Sequence, residues 1–155
     1  MVDVTTTSPH GAFIRSTSTF RDQVTADGSS PYPAEAGRYH LYVSLACPWA
    51  HRTIIVRRLK RLEDVISLSV VDPIRDERGW AFTGAPRTDL DTLNGFRFLS
   101  EAYAATDPGY RGRVTVPVLW DRETGRIVNN ESAEVIRMLN SAFDAFTDVD
   151  LDLYP

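Results

Sequence analysis

The one cysteine of this 155-residue chain, Cys47, sits in a context that can make a thiol reactive. It stands in Cys47-Pro48-Trp49-Ala50, directly after an apolar stretch suited to a strand and directly before a segment suited to a helix. A thiol at the start of a helix meets unpaired backbone N–H groups and the positive end of the helix dipole, and both stabilise a thiolate. Ala50 occupies the place where a redox Cys-x-x-Cys pair has its second sulfur. No internal disulfide can form, so any mixed disulfide on Cys47 must be resolved by an outside thiol. The alternative is that a lone cysteine is a small buried hydrophobe.

Two other pairs carry possible binding chemistry. Val116-Pro117 interrupts an apolar run, and proline costs a strand one ladder bond, so it must face an edge or a ligand. With a cis 116–117 peptide, the Val116 N–H and C=O point away from the sheet, where an extended peptide could pair with them as an added strand. The alternative is an edge proline with no ligand. Glu131-Ser132 opens the last apolar-periodic segment. Helix-terminal N–H groups with a serine hydroxyl bind a carboxylate, and a neighbouring Glu accepts from an ammonium. Together they suit the α-amino acid end of a γ-glutamyl group, and ordinary helix capping explains the same residues. His10, His40 and His51 show no metal-ligand spacing, so no metal is expected. No phosphate-cradling glycine loop and no serine nucleophile elbow is present in the sequence.

The elements that must position these residues follow from periodicity. Residues 39–43 predict a strand, and Trp49 to Arg61 a helix, with Ala50, Ile54, Ile55, Leu59 and Leu62 on one stripe. Residues 65–71 predict a second strand, parallel to the first across a right-handed crossover. A long connection over 72–95 leads to a helix from about Gly95 to Thr106. A strand over 114–120 and another over 126–129 form a hairpin through 121–125. Asn130 then caps a helix running from Glu131 to about Phe146, with Val135, Leu139, Ala142, Phe143 and Phe146 inward. The order βαβ, helix, ββ, helix is that of a thioredoxin-like α/β domain. Residues 1–37 read as irregular, with Phe13, Ile14, Phe20 and Val24 as anchors, and the tail after Phe146 reads as a solvated exit.

Composition narrows the function classes. Hydrophobic residues make up 43% and charged residues 25%, which is ordinary for a globular domain. With 17 basic and 21 acidic side chains the formal charge is −4, which opposes nucleic acid or an anionic membrane as main partner. The run Arg57-Arg58-Leu59-Lys60-Arg61 is then a solvated helix face. Without a run of ~20 apolar residues or a basic-then-apolar leader, and with a single thiol, a cytoplasmic location is expected.

The stretch Gly37 to Arg52 closely resembles the glutathionyl-hydroquinone reductases, the Xi class of glutathione transferases. Three later blocks match that family in order: Gly79-Trp80-Ala81-Phe82, Gly112 to Asp121, and Val128 to Glu134. The resemblance implies a glutathione-dependent thiol transfer. Cys47 would attack the sulfur of a glutathionyl-hydroquinone, release hydroquinone, and be freed from its mixed disulfide by a second glutathione. Trp80 would pack along the glutathione or the aromatic product, and Val116, beside Pro117, would pair with the cysteinyl backbone. Glu131 and Ser132 would hold the γ-glutamyl end, and Arg113 is the nearest matched candidate for the glycine carboxylate. Glutathione is thus the expected co-substrate and glutathionylated hydroquinones the expected substrates. The family continues into an all-helical domain that shapes the hydroquinone pocket and takes part in dimerisation, and a homodimer is one expected assembly. The expected division is an N-terminal strap over 1–37, a thioredoxin-like glutathione-binding domain over 38–146, and a linker over 147–155 toward a helical domain absent from this chain. Two other readings stay open: a broader glutathione S-transferase or glutaredoxin-type thiol transferase, and a glutathione-binding fragment without turnover.

Overall fold

A computed structural model describes residues 17–155, together with the backbone of Thr6–Thr7 (β1) and Phe13–Ile14 (β2), which pair antiparallel. The side chains of Phe13 and Ile14, expected as anchors, lie outside the described residues. Next comes a short parallel pair, Val24–Thr25 (β3) and Tyr32–Pro33 (β4), whose Val24 and Tyr32 are buried.

The β-branched and aromatic run Tyr39–Val43 forms β5, buried at every position, as a central strand must be. Helix α1, Pro48–Leu59, returns the chain to Ser67–Val70 (β6), which pairs parallel with β5. Val118–Asp121 (β7) lies antiparallel on the other side of β5, and Arg126–Asn129 (β8) closes a hairpin onto β7. The sheet order β6-β5-β7-β8 and its crossover are those of the thioredoxin-like fold. Helices α2 (Ser100–Thr106) and α3 (Ser132–Ser141) follow β6 and β8 respectively, and α3 packs along α1. A short 3-10 turn, Asp144–Phe146, follows α3.

Both outer strands of the sheet have outward backbone groups taken by other segments. On β6, Val70 donates to Asp89 Oδ2 (2.8 Å), and the Asp89 N–H returns to the Val70 carbonyl (2.8 Å). On β8, Arg21 bridges Asn129, and Asp22 donates to the Val128 carbonyl (3.1 Å). The core also encloses polar side chains. Asp121, fully buried, takes a fork from Arg38 Nε and Nη2 at 2.9 and 3.0 Å. Burial pushes its carboxyl up, but the bonds from Arg38 and Thr124 outweigh that and hold it below its ordinary range. The His40 ring is wedged between the Ser67 and Ser69 hydroxyls at 2.6 and 2.8 Å, and burial presses its pKa down to about 4.

Several expected boundaries shift for identifiable reasons. The strand expected from Val114 begins at Val118, because Thr115 spends its backbone N–H and C=O on the Tyr103 hydroxyl. The helix expected from Gly95 starts at Ser100. Phe98 first bridges Ala81, Leu99 donates to the Trp80 carbonyl, and Glu101 accepts from the Arg97 and Phe98 N–H groups. The cap of α3 is Glu131 and not Asn130, whose amide instead reaches the Tyr103 hydroxyl at 3.0 Å. On α1 the sheet-facing side is built from Ala50 and Thr53, so Ile55 and Leu59 are half exposed. Phe146 also faces out, and Met138 takes an inward place instead. Residues 147–155 form no helix or strand, yet they are tethered: the buried Lys60 ammonium donates to Asp144 (2.9 Å) and to the Leu151 carbonyl (2.8 Å), and Asn140 donates to Asp152.

Candidate active site

The strand-to-helix junction places Cys47 as the N-cap of α1, in extended backbone (φ −106°, ψ 115°), with Pro48 in the first turn. Proline there gives up an N–H that the helix could not have used. The Cys47 carbonyl accepts the His51 N–H at 3.0 Å, and no side chain caps the helix. The half-buried sulfur donates toward the Val116 carbonyl at 3.8 Å.

Three distant segments enclose a cavity of about 280 Å³ at this sulfur. Ala46 to Trp49 come from the junction, Arg75 and Trp80 from the long connection, and Arg113 to Val116 from the approach to β7. Gly79, at φ +88°, makes the turn that delivers Trp80, a conformation in which other residues are strained. Trp80 is mostly buried, and the Arg75 guanidinium lies over its ring at 4.5 Å from the centroid. The lining holds two arginines and no carboxylate, a positive recess in an acidic chain.

The Val116-Pro117 peptide is cis, as the sequence suggested. The segment before it is anchored by Tyr103, whose hydroxyl donates to the Thr115 carbonyl (2.8 Å) and accepts the Thr115 N–H (3.1 Å). Burial pushes the Tyr103 pKa up, so it serves as a neutral hydroxyl. Among the described residues the Val116 N–H has no partner.

Glu131 and Ser132 lie at the head of α3, outside the cavity lining. Glu131 Oε1 accepts the Ala133 N–H (3.4 Å), and Oε2 accepts the Ser18 hydroxyl (2.8 Å). Ser132 Oγ accepts from Arg52 Nε (3.0 Å) and Nη2 (2.7 Å). A smaller pocket of about 90 Å³, lined by Ser18, Tyr110 and Asn130 among others, adjoins the first through the shared Arg113 and Thr115. The fold thus brings Cys47, Trp80, Arg113 and Val116 to one cleft, with Pro117 behind it and the Glu131–Ser132 pair to one side. Arg75, Arg52, Ser18 and Tyr103 were not singled out from the sequence. Arg75 stands in a charged run that reads as loop, and no local pattern joins Arg52 to a serine 80 positions later. Among the described residues no group of three or more His, Cys, Asp or Glu side chains could hold a metal.

The profile of the glutathione S-transferase N-terminal domain matches residues 46–142. The chain belongs to the glutathione S-transferase family. Within the family it is 55% identical to glutathionyl-hydroquinone reductase YqjG of Escherichia coli K12, over 97% of this chain and 48% of that protein. Its fold superimposes on the glutathione-bound structure of YqjG with a TM-score of 0.86 and 54% identity, covering 88% of this chain and 47% of that one. The Xi-class glutathione S-transferase of Phanerochaete chrysosporium gives a TM-score of 0.88 and 49% identity, covering 92% and 49%. The chain therefore spans about half the length of the curated relatives it matches. Among the described residues, no helix of this glutathione S-transferase chain is long and apolar enough to cross a membrane.

Proposed function

We propose that the chain carries the thiol-transfer site of a glutathionyl-hydroquinone reductase, with Cys47 as nucleophile. The observation that carries this reading is the Cys47 sulfur at the head of α1, beside Val116, opening on a recess that holds Trp80 and two arginines. The Cys47 thiolate attacks the sulfur of the glutathionyl-hydroquinone. An S–S bond forms, the sulfur–ring bond breaks, and its electron pair passes to the ring carbon, which takes up a proton to give hydroquinone. A second glutathione thiolate attacks the glutathione sulfur of the mixed disulfide, releasing glutathione disulfide and restoring Cys47. Ala50, lacking a sulfur, leaves that step to the outside thiol.

The unpaired Val116 N–H and its carbonyl suit the cysteinyl backbone of an extended tripeptide. Arg113 suits the glycine carboxylate, Glu131 and Ser132 the γ-glutamyl end, and the Trp80 ring the flat face of the conjugate. A reducing, cytoplasmic setting fits a free nucleophilic thiol. In this reading residues 1–37 act as a strap on the glutathione domain (38–146), residues 147–155 lead toward a helical half, and the working enzyme is a homodimer.

The test is the mass of the full chain after exposure to a glutathionyl-hydroquinone, and again after excess glutathione. A glutathione adduct on Cys47 that forms and then clears supports the reading. A folded chain that stays unmodified overturns it. Equal reaction with a simple glutathione mixed disulfide and with the hydroquinone conjugate points instead to a general thiol transferase.

A further inference from the structure

We infer that Arg52 is a positioning residue for the γ-glutamyl subsite, acting through Ser132; this rests on the site reading above. Ser132 is the first residue of α3, only 3% exposed, and its oxygen receives two N–H donors from the Arg52 guanidinium at 3.0 and 2.7 Å. A hydroxyl oxygen has two lone pairs and one proton. The fork approaches the oxygen from one side, so the hydroxyl proton turns away from the guanidinium, and among the described residues no acceptor takes it. A serine held in this way is a donor with a fixed direction. The guanidinium charge behind it polarises the O–H bond, and the N–H groups of the α3 first turn lie beside it. That combination selects a carboxylate, the group that ends a γ-glutamyl chain.

Arg52 also spans the two parts of the site. It lies on α1, five residues beyond Cys47, and its guanidinium rests 5.5 Å from the centroid of the Trp49 ring. Its bonds to Ser132 tie the helix that carries the thiol to the helix that faces the γ-glutamyl end. Fixing both ends of an extended ligand at a set separation brings its sulfur to Cys47 without a search over loose arrangements. Lysine is a poor substitute, since a compact ammonium lacks the planar fork that brings two donors to one oxygen.

The experiment compares two disulfides as partners for Cys47 in the full chain. One is oxidised glutathione; the other is oxidised cysteinylglycine, which has the same cysteinyl and glycyl parts but no γ-glutamyl group. In each, the Cys47 thiolate attacks one sulfur, forms a mixed disulfide and expels the other half as a thiolate, followed by mass. The ratio of the two rates measures γ-glutamyl recognition and cancels effects on thiol reactivity. Arg52→Met should lower that ratio about tenfold, as expected for loss of a charge-assisted contact. Ser132→Ala should lower it similarly, the double variant should fall no further, and Arg52→Lys should recover only part. An unchanged ratio in Arg52→Met, including the case where both rates fall together, overturns the role of Arg52. Additive losses in the double variant overturn the route through Ser132. A wild-type ratio no greater than the one a small free thiol gives with the same two disulfides overturns the γ-glutamyl subsite itself, and this inference with it.

Discussion

The Tyr103 hydroxyl is the point where removing one atom should loosen both sides of the candidate site. It donates to the Thr115 carbonyl, accepts the Thr115 N–H and accepts the Asn130 side-chain amide, at 2.8, 3.1 and 3.0 Å. Thr115 precedes Val116, and Asn130 precedes Glu131, so one oxygen fixes the approach to both. Tyr103→Phe keeps the ring and its packing against Phe20 and Tyr110 while deleting these three bonds and a longer contact with the Thr115 hydroxyl (3.3 Å). Each such bond is worth about 1 kcal/mol net, and a group left buried without a partner costs about 1–3 kcal/mol. With Asn130 buried and Thr115 half-buried, the expected loss is about 3 kcal/mol. For a chain of this length that is a fall of roughly 6–12 °C in Tm. Urea unfolding followed by tryptophan fluorescence gives the free energy directly. The rate of Cys47 glutathionylation by oxidised glutathione, measured well below the new Tm, should fall as well. A stability loss under about 1 kcal/mol with an unchanged rate would refute the reasoning, since the three orphaned groups would then have found other partners.

Cys47→Ala should abolish glutathione adduct formation while leaving the fold intact, as intact-protein mass and circular dichroism will show. Burial holds the His40 pKa at about 4 against 6.5 for the free side chain, so the unfolded chain binds a proton that the fold refuses. Stability should therefore drop by about 3 kcal/mol as pH falls from ~6.5 to ~4, and His40→Gln should flatten that slope in urea titrations across the window. The depressed carboxyl of Asp121 acts in a lower window: its contribution is present above its ordinary pKa and is lost as pH falls below it. At neutral pH Asp121→Asn should cost about 3 kcal/mol, because it strands the Arg38 guanidinium, whose remaining partners Glu35 and Glu123 are largely exposed.

Where local chemistry and global packing agreed, the sequence was enough to read the fold. The run Tyr39-His40-Leu41-Tyr42-Val43 could be little other than a buried strand, and a cysteine followed by proline at its end marks a helix start. Position along the chain also carried the cis proline and the pairing of β7 with β8. Misreadings arose where a group distant in the sequence claimed a backbone group. Tyr103 takes the Thr115 peptide out of the sheet, and the Trp80 and Ala81 backbone holds Phe98 and Leu99 out of α2. Neither partner is within reach of a periodicity argument. The α1 stripe was misjudged because hydrophobicity alone ranks Ile55 and Leu59 above Thr53, whereas the close approach to the sheet selects small residues. At the site, the types were legible and the contacts were not: Arg52 and Ser132 meet across two helices, and Arg75 reaches Trp80 from a loop without regular structure.

The covered rims of the sheet bear on how a peptide-like molecule could be received. A sheet with free rims invites any extended chain, including another copy of itself, to continue its ladder. Here Asp89 occupies the rim at β6 and the stretch around Arg21–Asp22 occupies the rim at β8, so neither offers a run of vacant donors and acceptors. The vacant amide at Val116 lies instead inside a recess, on the same residue whose carbonyl meets the Cys47 thiol, and is flanked by bulky indoles and arginines. One vacant amide in a recess of about 280 Å³ offers a pairing position for a short ligand and no ladder for a long strand to continue. Promiscuous strand addition is thereby exchanged for a single sheltered pairing position, which suits the short extended ligand proposed above.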